Sequence, residues 1–521
     1  MDDSTITFVV LGAVVALFVW DRLPVAIVAI GVALALWATG VLSLDDALAG
    51  FGDPTVLFIA SLFVVSEALD ASGVTAWVGQ ELVARVGDSR TKLIVYTMAL
   101  VALLTALINV NGAVAALVPV AVLMAVRTGR SPSQLLLPLA FGAHAGSLLA
   151  LTGTPVNVIV SEAAADAGVG SFGFFEFALV GVPLTAGVIV IAVLFGERLL
   201  PERHPRSIAP DFSGHARTLI KQYELDHAAD ELMTRRSGVA EVVIPPRSAL
   251  AGDRVFPGMI TESGDLAILA VQRGGDDTGP GETVLAEGDT LLLQGTWEAL
   301  DSNLDDPGVL VVDPPEQVRR QAVPLGAGAR AALIVLAAMV LALATGVVPP
   351  AVAGLIAASL MILLGVLTVE QAQRGISWTT VVLVGGMISM STAMVSSGAA
   401  GLLADRLVDI VGDAGPHALL LGLFLLTAVL GQLISNMATA LIVIPIAISA
   451  AADMDVSAKP VLMAVTVSAA ASFLTPVATP ANLMVMGPGG YRFSDYWKLG
   501  LPMLVLFGVV AVLLVPVFWP F

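Results

Sequence analysis

Cysteine is absent from this 521-residue chain. That excludes disulfides, thiolate metal sites and thiol nucleophiles. Histidine is scarce: the five present are scattered, without the spacing of a metal-binding helix, which argues against a zinc or di-iron centre. Charge is scarce as well, at 13% of residues, against about 25% in a soluble domain. Basic residues are outnumbered, 24 Lys and Arg to 42 Asp and Glu, for a net charge of −18. A nucleic-acid partner needs a basic surface and is disfavoured. The N-terminus, Met-Asp-Asp, lacks the basic region of a cleaved signal peptide, so the first apolar run is expected to stay as a membrane helix. Neither a Walker loop nor a plausible nucleophile–base pair is found, which argues against an ATP-driven pump and against an enzyme. What the chain does have is apolar residues, at 57%. That composition belongs to a polytopic membrane protein.

A second feature is repetition. Ile108-Asn109-Val110-Asn111-Gly112-Ala113 is followed by Gly153-Thr154-Pro155-Val156-Asn157. Ile434-Ser435-Asn436-Met437-Ala438 is followed by Ala478-Thr479-Pro480-Ala481-Asn482. The offsets agree: 436 − 111 = 325 and 479 − 154 = 325, and Gly50/Gly375 and Ser72-Gly73/Ser397-Gly398 share them. Such a period indicates an internal repeat. Each copy places helix-breaking residues in an apolar setting, which a bilayer tolerates only where protein or a water-filled cavity surrounds the freed backbone. Matched interrupted segments in two halves point to a transporter's binding site.

Apolar runs near the roughly 20 residues of a bilayer crossing divide each half into five crossings plus one re-entrant hairpin. The hairpins are expected over Leu93–Val126 and Leu419–Ala451, and the unwound helices over Leu135–Ala165 and Val461–Met486. An odd number of crossings makes the repeats inverted. With Met1 outside, the inner loops hold Arg22, Arg85, Arg90, Lys92, Arg127, Arg130, Arg374, Arg492 and Lys498. The outer loops hold Asp45, Asp46, Asp53, Glu162, Asp166, Asp409 and Asp413, with Arg406 and Lys459 as exceptions. That bias follows the positive-inside rule. The expected fold is therefore an all-α polytopic membrane protein of two inverted repeats with a small inserted α+β domain. The divisions are 1–196 for repeat one, 197–236 for a linker, 237–321 for a cytoplasmic domain and 322–521 for repeat two. Strands are predicted at Ala240–Ile244, Leu266–Gln272 and Thr290–Leu293, separated by the turn signals Pro245-Pro246, Gly274-Gly275 and Gly288-Asp289.

The paired Asn-Gly and Ser-Asn tips, each followed by Gly/Ala-Thr-Pro-x-Asn, resemble the divalent anion–sodium symporter family of citrate-transporter-like permeases. The segment from Gly487 to Lys498 resembles its sulfate-transporter-like branch. The stretch Glu241–Asp253, with Leu285–Gly295, resembles a TrkA-C domain, the RCK C-terminal module. The resemblance implies a sodium-coupled symporter of the plasma (inner) membrane, a homodimer working as an elevator, and a regulatory domain for an unidentified small ligand. The scaffold would comprise residues 5–40 and 331–367. Where that family carries Ser and Thr around the first tip asparagine, this chain has Val110 and Gly112, and Met437 replaces Thr at the second tip. The missing hydroxyls and the sulfate-branch ending place a sulfate-like oxyanion first and a dicarboxylate second.

A broken helix offers N–H groups at one break and carbonyls at the other. The N-termini favour anions, and carbonyl ends with Asn oxygens suit sodium. The expected anion-binding set is Asn111, Gly112, Thr154, Pro155, Ser435, Asn436, Thr479 and Pro480. The expected sodium-binding set is Asn111, Gly153, Asn157, Asn436, Ala478 and Asn482. Sodium is the only cofactor-like species expected. A lone buried Asn reads as packing glue, but the repeated set reads as a site. His144 reads as a packing residue, and Glu67 and Asp70 as interfacial, with proton relay as their functional alternative. The competing function is a cation channel or potassium-uptake subunit regulated by the TrkA-C-like domain; against it, no Thr-Val-Gly-Tyr-Gly-like filter is present.

Overall fold

The computed structural model describes residues 2–20, 22–75, 77, 89–203, 219–220, 222–223, 232–234, 237–261, 263–279, 281–304, 308–313, 315, 318, 328–411, 414–476 and 478–521. Arg85, Asp413 and most of the 197–236 linker lie outside these residues. The chain forms two compact units, one of residues 1–68, 79–209 and 331–521, the other of residues 69–78 and 210–330.

The first unit is helical. Its first half contains α1 (Asp3–Trp20), α2 (Val25–Ala38), α3 (Leu44–Ala49), α4 (Pro54–Ala71), α5 (Arg90–Leu107), α6 (Val110–Arg127), α7 (Leu136–Gly146), α8 (Pro155–Asp166) and α9 (Ala178–Leu199). Helix α10 (Trp297–Asn303) belongs to the second unit. The second half contains α11 (Ala329–Thr345), α12 (Pro350–Leu363), α13 (Val369–Gly375), α14 (Trp378–Ser396), α15 (Ala399–Val411), α16 (Pro416–Leu433), α17 (Asn436–Asp453), α18 (Ala458–Ala470), α19 (Pro480–Gly489) and α20 (Tyr496–Val509). Among the described residues, eight helices are long and apolar enough to cross a membrane, and five shorter ones are apolar. This is a multi-pass membrane protein.

Small residues let these helices approach closely, as membrane packing favours. A Cβ at Gly386 on α14 would lie 2.4 Å from the Ala29 carbonyl oxygen on α2. Two helix pairs form hairpins, α5–α6 about Asn109 and α16–α17 about Ser435, and every arm is 18 residues long. The predicted unwound helices are interrupted at residues 147–154 and, among the described residues, at 471–476 and 478–479. The proline after each break starts the next helix, where its missing N–H costs nothing.

After α9 the chain is pinned before it leaves this unit. Ser133 Oγ donates to the Pro201 carbonyl at 2.6 Å, and Arg203 pairs with buried Asp495 at 2.6 Å. The C-terminus is held at Glu176, which accepts from Trp519 Nε1 at 2.5 Å and pairs with Lys459 at 3.1 Å.

The second unit carries a five-stranded sheet ordered β4-β3-β6-β1-β7. Its long strands are β1 (Ser237–Val243), β3 (Leu266–Arg273) and β6 (Thr290–Thr296), on the segments read as strands. Two-residue strands β4 (Asp276–Asp277) and β7 (Leu310–Val311) flank them, and β2 (Arg254–Val255) pairs with β5 (Thr283–Val284). Trp297 on α10 packs under the sheet with Val242, Ile268 and Leu293.

Asp289, at the turn into β6, accepts from Arg273 Nε at 2.7 Å, Arg273 Nη2 at 2.6 Å and the Ala286 N–H at 2.8 Å. The Arg273 hydrogen bond holds its carboxyl below the usual carboxylate range. A depressed carboxyl pKa contributes stability that is present above the unfolded value of about 4 and is lost as pH falls through the folded one. Asp289→Ala is expected to weaken this unit by about 1–3 kcal/mol at neutral pH, because three acceptor positions disappear. Faster hydrogen exchange of the β3 and β6 amides in the full chain would register it; unchanged exchange would deny the pair a structural role.

Candidate functional site

The two hairpin tips, the first helix break and the end of the helix that precedes the second break line one small cavity. It is about 20 Å³, room for about one water molecule. Val110, His144, Ser147, Thr154 and Val156 line it from the first half; Asn436, Thr466, Ala469 and Ala470 line it from the second. None of these side chains is a Lys, Arg, Asp or Glu.

Three helix N-termini reach this cavity. Val110 is the first residue of α6, Asn436 the first of α17, and Thr154 the N-cap of α8. Side-chain caps take one N–H at each, those of Gly112, Ala438 and Val156, and the helix dipole leaves all three ends partially positive. Two helix C-termini reach it too, through His144 on α7 and Ala469–Ala470 on α18. The site thus presents donors for an anion and carbonyl ends for a cation without a charged side chain.

The breaks share one hydrogen-bond pattern. Asn157 Nδ2 donates to the Ser147 and Ala150 carbonyls at 2.8 and 2.9 Å. Asn482 Nδ2 donates to the Ser472 and Thr475 carbonyls at 2.7 and 3.0 Å. Each donor and acceptor is displaced by 325, as 482 − 157, 472 − 147 and 475 − 150. Thr154 and Thr479 hold matching extended conformations before their helices, φ −152° and −147°. The tips also grip their own breaks. Thr152 Oγ1 donates to the Ala106 carbonyl at 2.8 Å, and Ser472 Oγ donates to Asn436 Oδ1 at 2.6 Å. Gln432 adds a bond from the Leu474 N–H at 3.0 Å.

Of the expected anion-binding residues, Thr154 and Asn436 line the cavity. Ser435 caps α17 by accepting the Ala438 N–H, and Thr479 caps α19 by accepting the Asn482 N–H, both at 3.3 Å. Pro155 and Pro480 are the first residues of α8 and α19. The Gly112 N–H is spent on Asn109 Oδ1 at 2.8 Å. Of the expected sodium-binding residues, Gly153 and Ala478 lie within the breaks, and Asn157 and Asn482 brace them.

Asn111 is placed differently from the sequence expectation. It is exposed and absent from the cavity wall, and Asn109 caps α6 and also donates to Ser66 at 2.9 Å. The caps Asn109 and Ser435 are 326 apart, not 325, and so are the in-helix prolines Pro119 and Pro445. The hairpins therefore run one residue out of step with the breaks. One residue turns a helix by about 100°, so Val110 rather than Asn111 is the partner of Asn436. The proline spacing was the sequence signal for this.

His144, expected as a hydrogen-bonded packing residue, is buried and hydrogen-bonded. It lines the cavity, and its Nε2 lies 3.1 Å from Asn482 Oδ1 and 3.2 Å from Thr479 Oγ1, reaching from the first half to the second break. A search for repeated residues passes over it, because position 469, 144 + 325, is alanine.

Comparison with known proteins follows the same line. The sequence model of the citrate transporter family matches residues 15–467 and 415–521. The chain belongs to the citrate transporter family. It is 30% identical to the uncharacterized transporter YfbS of Escherichia coli (strain K12), over 98% of each chain. It is 24% identical to sodium/sulfate cotransporter 1 of Chlamydomonas reinhardtii, over 63% of this chain and 35% of that one. The solved YdaH transporter of Alcanivorax borkumensis shares its fold, with a TM-score of 0.51 at 15% identity over 97% of this chain and 99% of that one. For this family member the role is transport rather than catalysis.

Proposed function

We propose that this transporter is a sodium-coupled symporter of small divalent anions, taking a sulfate-like oxyanion first and a dicarboxylate second. The carrying observation is the convergence of three helix N-termini on a cavity without charged side chains. Helix ends and amides suit a compact anion, and the neighbouring carbonyl ends suit a hard cation. The relative named as a sodium/sulfate cotransporter supports the same substrate class. In this reading the repeats are inverted, hairpins and broken helices move together as an elevator, and the helices near both repeat starts form a dimeric scaffold. The cavity has room for about one water, so loading an anion requires the tips to part. Residues 197–321 are placed in the cytoplasm of a plasma-membrane protein, as a TrkA-C-like regulatory domain for a small ligand.

Counterflow in proteoliposomes loaded with sulfate, succinate, citrate or phosphate, with and without sodium, tests this. Saturable sulfate exchange that rises with sodium is expected. Tight succinate exchange without sulfate competition would reverse the substrate order. Conductance beyond transporter turnover would turn the reading into a channel.

A further inference from the structure

We propose that this protein couples through one cation rather than two, because the His144 N–H occupies at the second break the position a cation takes at the first. This rests on the sodium-coupled reading above.

The two breaks are built alike up to one atom. In each, the asparagine amide nitrogen is committed to two break carbonyls. That fixes the orientation of both carboxamides, since only the nitrogen can donate. Their oxygens then face the other way. Asn482 Oδ1 faces His144 Nε2 at 3.1 Å. An amide oxygen can only accept, and Thr479 Oγ1, 3.2 Å from the same nitrogen, already accepts the Asn482 N–H, so the tautomer that satisfies this contact carries its proton on Nε2. Asn157 is also fully buried, and its Oδ1 has no hydrogen-bond partner among the described residues.

The asymmetry has a sequence cause. The residue at 144 + 325 = 469 is Ala469, a methyl group where the other break has an imidazole. Helix α8, which carries Asn157, packs on α18, which carries Ala469, and Ala469 is in the cavity wall. A buried carbonyl oxygen left open is costly unless a donor or a cation meets it. By the 325-residue correspondence, Ala469 near the end of α18 stands to Asn157 as His144 stands to Asn482, so no imidazole N–H is available there. A hard monovalent cation can meet that open oxygen where the other break has a fixed N–H. The first break is therefore the cation site, and the second is closed by a donor the protein carries itself.

The test is a sodium titration of the purified full-length protein, read by thermal unfolding and by initial sulfate uptake in proteoliposomes. Wild-type uptake is expected to show a Hill slope of about one, since the slope is bounded by the number of coupled sites. Ala469→His supplies the missing donor to Asn157 and is expected to weaken sodium-dependent stabilisation by about tenfold or more in apparent affinity. Because Ala469 is buried and the larger ring could disturb folding, His144→Ala is the second variant. It opens Asn482 Oδ1 as Asn157 Oδ1 is already open, so the slope should rise towards about two. A wild-type slope near two, a folded Ala469→His protein with unchanged sodium response, or an unchanged slope in His144→Ala would each overturn the inference. Uptake and stability that ignore sodium altogether, with lithium and potassium as controls, would instead remove the sodium-coupled reading itself.

Discussion

Asn436→Asp in the full-length protein is expected to lower sulfate uptake at least about a hundredfold at sub-saturating substrate, with the fold intact. Asn436 is the first residue of α17 and lines the cavity. Its Oδ1 is taken by Ser472 Oγ at 2.6 Å, so its amide nitrogen is the half left for a ligand. Aspartate keeps the acceptor for Ser472 and replaces the donor with a charged oxygen. Two unit charges about 4 Å apart repel by about 4 kcal/mol at an effective dielectric of 20, which exceeds the roughly 1–3 kcal/mol of a lost hydrogen bond. The same charge sits at a helix N-terminus, which tolerates it, so stability should change little. Asn436→Ala removes the donor without adding charge and should cost about ten- to a hundredfold. Proteoliposome uptake beside a thermal-unfolding control measures both. Wild-type transport in Asn436→Asp would mean the anion does not bind at this cavity.

Gly153→Ala is expected to abolish transport and lower the unfolding temperature. A Cβ there would lie 2.3 Å from the Ser147 carbonyl oxygen and 2.8 Å from its carbon. Both are backbone atoms, so no side chain can swing aside. The same Ser147 oxygen accepts from Asn157 Nδ2, so an alanine must open the break and loosen its brace together. Overpacking of this kind costs about 1–3 kcal/mol, and here the strain falls where α8 presents its N-terminus to the cavity. The equivalent position, 153 + 325, already carries Ala478, so the second break accommodates a methyl group. Ala478→Gly should therefore cost no more than about 1 kcal/mol of backbone entropy. Comparing the two variants by uptake and by thermal unfolding checks the asymmetry. A Gly153→Ala protein with normal transport and stability would show that the first break relaxes freely.

Much of this architecture was legible in the chain. Long apolar runs announced membrane helices, because a bilayer leaves no other partner for backbone polar groups. Repeated Thr-Pro-x-Asn marked where α8 and α19 begin, because proline suits a first helical position and threonine the cap before it. Short β-branched runs between glycine turns marked β1, β3 and β6. These signals are local, and a local signal survives in one dimension.

Tertiary structure decided where each break opens and which tip residue faces the cavity. Leu148, Leu149, Ala150 and Leu151 are apolar and include no helix breaker, yet α7 ends at Gly146. Asn157 takes the Ser147 and Ala150 carbonyls, and the Leu151 N–H goes to the Phe174 carbonyl at 2.9 Å. Likewise the sequence offset pairs Asn111 with Asn436, but the caps at Asn109 and Ser435 shift the helix start by one residue and turn Asn111 outward. His144 meets Asn482 across 338 residues of chain. A contact of that range depends on how two helices are brought together, and no spacing along the sequence encodes it.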